Sequence, residues 1–127
     1  MQILLAEDLE DTRELMRALL ELKGHSVIEA ADGQQAVDAT KKFKPDIVLM
    51  DLNMPFLDGI AAIRIIRDDP IIGSTPIVAL SARAGSTWRE EAMAAGCDAL
   101  LSKPLSFEDL DSVLQRVARQ PPPRREG

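Results

Sequence analysis

Three acidic residues and one lysine stand at the ends of apolar runs, where they could hold a divalent cation and a phosphoryl group together. Glu7 and Asp8 follow Ile3-Leu-Leu-Ala6, Asp51 follows Ile47-Val-Leu-Met50, and Lys103-Pro104 follows Ala99-Leu-Leu101 after a single serine. A carboxylate at the mouth of a buried strand is costly unless something there uses it. Magnesium takes oxygen ligands, usually one or two carboxylates with water and a phosphate oxygen. Crowded acids would therefore favour a cation, Asp51 could attack a phosphoryl donor to give an acyl phosphate, and Lys103 would offset the charge of the transferred group. Ser81, at the end of the run Ile77–Leu80, can donate a hydroxyl hydrogen bond to a phosphate oxygen.

Taken singly, each has an ordinary reading. An acidic pair before a helix caps it, an aspartate before Met-Pro begins a turn, a serine satisfies a turn, and a lysine is a solvated surface charge. The argument rests on their conjunction, each at its own strand end.

The elements that must bring them together alternate strictly. Apolar runs at Ile3–Ala6, Val27–Ala30, Ile47–Met50, Ile77–Leu80 and Ala99–Leu101 are separated by segments of helical period. Near-continuous aliphatic runs imply strands covered on both faces; the Val27 run, flanked by Ser26 and carrying Glu29, reads as an edge. Helices are expected at Glu10–Leu22, with Leu15, Leu19 and Leu22 on one side and Gly24 as the stop, and at 33–43 after Asp32 as N-cap. A third follows Asp58 with Ile60, Ile63 and Ile66 and ends before Pro70, and a fourth covers 85–95. The last begins at Ser106, with Asp109 three residues on and a stripe of Phe107, Leu110, Leu114 and Val117.

Five β/α units with right-handed crossovers predict a three-layer, doubly wound α/β domain of the flavodoxin-like kind, with parallel strand order 2-1-3-4-5. In that order the winding reverses between strands 1 and 3, and ligands bind at the carboxyl ends there. Glu7, Asp8 and Asp51 occupy those ends.

The chain has 127 residues, enough for one domain, expected over 1–119, with 120–127 as a Pro/Arg tail or linker stub. No apolar stretch is long enough to span a membrane, no leader is expected before the first strand, and the single Cys97 suits a reducing compartment. A cytoplasmic location is expected. The net charge is −6; four arginines from Arg116 onward, against Glu126, leave that end at +3 and residues 1–115 at −9. An acidic body with 3% aromatic residues and no tyrosine argues against nucleic-acid binding. Cys97 is expected to be buried, Met50 and Met54 to pack the cleft floor, and His25 to have no chemical role. Trp88 is either an exposed anchor for a partner or a packed side chain.

With these residues in place, the chain resembles the receiver domains of response regulators in two-component signalling, the CheY-like family. The matching pieces are Leu4-Leu-Ala-Glu-Asp8, Asp46-Ile-Val-Leu-Met-Asp-Leu-Asn-Met-Pro55, Asp58-Gly59, Pro76-Ile-Val-Ala-Leu-Ser-Ala82 and Leu101-Ser-Lys-Pro104, over essentially all of residues 1–119. The resemblance implies that Asp51 accepts phosphate from a histidine kinase or histidine-phosphotransfer protein. It further implies magnesium, or manganese in its place, bound by the Asp8 and Asp51 side chains, by Glu7 through water and by the Asn53 backbone carbonyl. Ser81 would be the switch hydroxyl and Lys103 the phosphoryl contact, with a cis peptide before Pro104. Such a protein promotes its own dephosphorylation but is not a turnover enzyme. Its output partner would bind the face of helix 4, strand 5 and helix 5.

One departure is Leu100, where many receivers carry Tyr or Phe, which puts the usual coupling to the switch hydroxyl in doubt. Arg83 falls where the family tunes hydrolysis. The competing readings are an aspartate-nucleophile phosphohydrolase, which would need an acid where Asn53 stands, and a receiver used only for unphosphorylated docking. A flavin carrier fails on the acidic loop Glu7-Asp8-Leu9-Glu10-Asp11. Oligomeric state is left open.

Overall fold

Five parallel strands form one sheet in the order β2-β1-β3-β4-β5: β1 Gln2–Ala6, β2 Ser26–Ala30, β3 Ile47–Asp51, β4 Ile77–Ser81 and β5 Ala99–Ser102. The computed structural model describes residues 1–54, 56–82, 86–103 and 106–119, apart from the side chains of Ser86, Phe107, Ala118 and Arg119. The five helices are α1 Glu10–Leu22, α2 Gly33–Phe43, α3 Gly59–Asp68, α4 Ser86–Ala95 and α5 Phe107–Arg119. The expected α/β fold and strand order are therefore what the chain adopts. The tail expected over 120–127 lies outside the described residues.

Alternation along the central strands explains their aliphatic runs. Leu4, Ala6, Val48, Met50, Ile77 and Ala79 face a core completed by Ala36 and Val37 of α2, Ile63 and Ile66 of α3, and Ala92 and Ala95 of α4. Ile3, Leu5, Ile47, Leu49, Val78 and Leu80 face the opposite core, closed by Met16 and Leu20 of α1 and by Leu110, Leu114 and Val117 of α5. A strand buried on both faces has no polar positions to alternate with. On the edge strand β2, Ser26 and Glu29 are exposed as expected.

The ladder reaches one polar residue beyond three of the apolar runs. Asp51 ends β3, Ser81 ends β4 and Ser102 ends β5, because backbone pairing does not depend on side-chain polarity. Asp51 pairs with Leu80, and Ser81 with Ser102.

Helix starts follow the caps in the sequence. The Gln35 N–H donates to Asp32 at 2.8 Å, the Ala61 N–H to Asp58 at 2.8 Å, and the Asp109 N–H to Ser106 at 3.4 Å. Helix α1 departs from this: its N-cap is Leu9, with no side-chain cap, so Glu7 and Asp8 are not its capping residues. Of the three leucines expected on one side, only Leu19 is half-buried. Met16 and Leu20 are buried, whereas Leu15 is 62% exposed and Leu22 83% exposed.

At the amino ends of the strands, Arg67 forms a buried clamp. Its guanidinium donates to the carbonyls of Gly73, Thr75 and Gly96, and to the Asp98 carboxylate at 2.9 Å. Asp98 also accepts from the Ile77 N–H at 2.8 Å. One cation thus ties the end of α3 to the starts of β4 and β5. Beside it, Cys97 is buried as expected, and burial pushes its thiol pKa up to about 11. No helix among the described residues is long and apolar enough to cross a membrane.

Candidate functional site

At the carboxyl ends of β1 and β3, Glu7, Asp8 and Asp51 come together, each offering one carboxylate oxygen within 4.8 Å of the others. Parallel pairing of Ala6 with Met50 places the two acidic ends side by side. Glu7 is completely buried and Asp51 nearly so, while Asp8 is half-buried at the opening.

Lys103 connects the two strands electrostatically. Its Nζ donates to Glu7 Oε1 at 2.8 Å and to Asp51 Oδ2 at 3.0 Å. Its position is set by the Lys103 N–H, which donates to the Ser81 carbonyl at 2.8 Å and prolongs the β4–β5 ladder. The remaining carboxylate oxygens are held by backbone. The Asn53 N–H donates to Asp51 Oδ1 at 3.0 Å and the Asp8 N–H to Glu7 Oε2 at 3.1 Å. Arg13 of α1 donates to the Glu7 carbonyl at 2.8 Å.

Burial raises the Glu7 pKa from 4.5 to about 7, and Asp51 beside it adds to the rise against the opposing pull of Lys103. For Lys103 burial lowers the pKa, but hydrogen bonds to Glu7 and Asp51 outweigh it and leave the ammonium above its ordinary value. The cleft holds more negative charge than one lysine balances.

Ser81 is buried at the end of β4, between the strands that carry Asp51 and Lys103. Met50 and Met54 are buried on either side of Asp51, as expected. Leu100 is half-buried against the core beside Ala79, where the aromatic of many receivers would stand. Trp88 is half-buried against the same core, so of its two readings packing holds. Arg83 and the peptide before Pro104 lie outside the described residues.

The segment between Asp51 and α3 is pinned at both ends. The Gly59 N–H donates to the Leu52 carbonyl at 3.2 Å, and a side chain at Gly59 would strike the backbone of Asp51 and Leu52. A side chain at Gly33 would strike the Leu57 backbone, so α2 also bears on this loop. Within it Phe56 is 95% exposed and has φ of +66°, a left-handed conformation costing a non-glycine residue about 1 kcal/mol or more. Phe56, the Arg13 contact and the Asn53 N–H are not foreseen from the residue types. An aromatic in the turn after Asp51 is the only signal for the first, and the other two are hydrogen bonds between a side chain and the backbone that residue types do not announce.

Residues 3–115 match the response regulator receiver domain family. The chain belongs to it. Relatives include the polar-differentiation response regulator DivK of Brucella anthropi, 32% identical over 104 residues that span 82% of this chain and 85% of that protein. Among solved structures, the receiver domain of a sensor histidine kinase from Pseudomonas aeruginosa superposes with a TM-score of 0.87 at 38% identity, covering 94% of this chain and 98% of that one. That domain has a magnesium ion coordinated in its active-site cleft. The chemotaxis protein CheY4 of Vibrio cholerae gives 0.85 at 30% identity over 91% of this chain and 97% of its own. The chain is thus a receiver domain of two-component signalling, a signalling module rather than a turnover enzyme.

Proposed function

We propose that Asp51 accepts a phosphoryl group from a phosphohistidine donor, a histidine kinase or histidine-phosphotransfer protein, in the cytoplasm. The observation that carries this reading is Lys103 bridging Glu7 and Asp51 beside the three-acid cluster. Oxygen donors of this type suit a hard cation. Asp8 and Asp51 by side chain, Glu7 through water and Asn53 by its backbone carbonyl would hold magnesium, with manganese as a substitute. When bound, the ion neutralises acid repulsion and the charge on the phosphoryl oxygens.

The residues of the chain account for the rest. An Asp51 oxygen forms the new O–P bond as the N–P bond of the donor breaks. The electron pair of that bond stays on the imidazole nitrogen, and the ring, protonated at its other nitrogen, leaves neutral. Asn53 fixes the Asp51 carboxylate through its N–H, and Lys103 turns from Asp51 toward the transferred group. Ser81 donates its hydroxyl to a phosphoryl oxygen, biasing the face of α4, β5 and α5 toward an output partner. With Leu100 in place of an aromatic, Ser81 and its loop carry that bias without a ring moving inward. Water attack at phosphorus would later reset the site. A hydrolase acid is missing at Asn53, whose N–H instead braces Asp51.

Incubation with Mg2+ and acetyl phosphate should raise the intact mass by one phosphoryl group, and Asp51→Asn should abolish the gain. Equal labelling of that variant would reject Asp51 as the acceptor.

A further inference from the structure

Phe56 is the most exposed large apolar side chain among the described residues, in a loop whose other described apolar residues are packed. Leu52 and Met54 before it are buried, Leu57 after it packs on the core, and Asp58 caps α3. The described apolar residues on either side of Phe56 are thus held, while its own ring stands in solvent. Its φ of +66° would suit glycine or asparagine better. A backbone outlier of this kind, joined to a ring that is 95% exposed, points to a role outside the chain.

The position of the ring identifies that role. Any protein delivering phosphate to Asp51 must cover the ends of β1 and β3, and the rims of those ends carry Leu9, 59% exposed, and Phe56. Around them stand the exposed acids Glu10, Asp11 and Asp58. The complementary surface is apolar beside the phosphorylated residue and basic further out.

We propose that Phe56 is a donor-recognition residue, seating its ring in an apolar pocket beside the phosphohistidine on a basic-flanked surface of the phosphoryl donor. The inference rests on Asp51 being the acceptor. It separates two donors with the same N–P bond: phosphoramidate, which has no surface, and a phosphorylated histidine-phosphotransfer domain, taken from a panel as the one that labels the wild-type chain fastest.

The readout is the ratio of labelling rates from the protein donor and from phosphoramidate. In Phe56→Asn, which suits the backbone, the ratio should fall at least tenfold, and in Phe56→Leu it should recover to within about threefold of wild type. An unchanged ratio in Phe56→Asn overturns the proposal. A slowing of both donors alike also overturns it, and makes the ring a cover for the cleft. Loss of self-association in Phe56→Asn with the ratio intact assigns the ring to a second copy of the chain. Wild-type protein that takes no label from phosphoramidate fails at Asp51 itself, a result distinct from all of these.

Discussion

Ionised Glu7 faces Asp51 with little water to screen either charge, and its pKa of about 7 follows from that surrounding. A raised carboxyl pKa means that the folded chain holds the proton more tightly than the unfolded one. The stabilisation is fully present below about pH 4.5 and is lost as pH rises through about 7. In metal-free protein, the difference in Tm between wild type and Glu7→Gln should therefore move against wild type across that interval, as thermal melts at several pH values would read. A pH-independent difference would remove the titration from Glu7. Protons and cations compete for the same oxygens, so magnesium should raise the wild-type Tm more at pH 7.5 than at pH 5.5. Glu7, Asp8, Asp51, Ser81 and Lys103 were legible in the sequence because each sits at a strand end, and strand ends can be read from apolar runs. The φ of Phe56 was not, because nothing in local composition demands that an aromatic take a glycine conformation.

Helix α1 shows how periodicity can find an element and misplace its face. Its leucines at 15, 19 and 22 form a helical stripe, but Met16 and Leu20 form another, and it is the second that meets the sheet. Both stripes satisfy the same repeat, and composition alone does not choose between them. The energetic difference is testable. Leu20→Ala should cost about 2–4 kcal/mol in denaturant unfolding, whereas Leu15→Ala and Leu22→Ala should each stay within about 0.5 kcal/mol. Large losses at Leu15 or Leu22 would return the expected face to the core. Helix α3 gave no such ambiguity, since Ile60, Ile63 and Ile66 are a single stripe begun by Asp58, and all three are buried.

Two charged assemblies with buried members lie at opposite ends of the sheet. Glu7, Asp51 and Lys103 lie at the carboxyl edge; Arg67 and Asp98 lie at the amino edge, where the guanidinium is 4% exposed and fastens α3, β4 and β5 together. Removing the guanidinium leaves three carbonyls and the partly exposed Asp98 carboxylate without that donor, so Arg67→Met should lower unfolding free energy by about 3 kcal/mol at an unchanged denaturant slope. A cost below about 1 kcal/mol would make the clamp incidental. Order and connectivity of the strands were readable from the alternation of runs and helices, but Arg67 looked like any charge at a helix end. Cys97 sits directly against this clamp, with a thiol pKa of about 11. At neutral pH only about one molecule in ten thousand carries a thiolate there. A disulfide reagent therefore finds this sulfur mainly when the fold opens, so the lone cysteine is a natural stopwatch for how often that end of the protein comes apart.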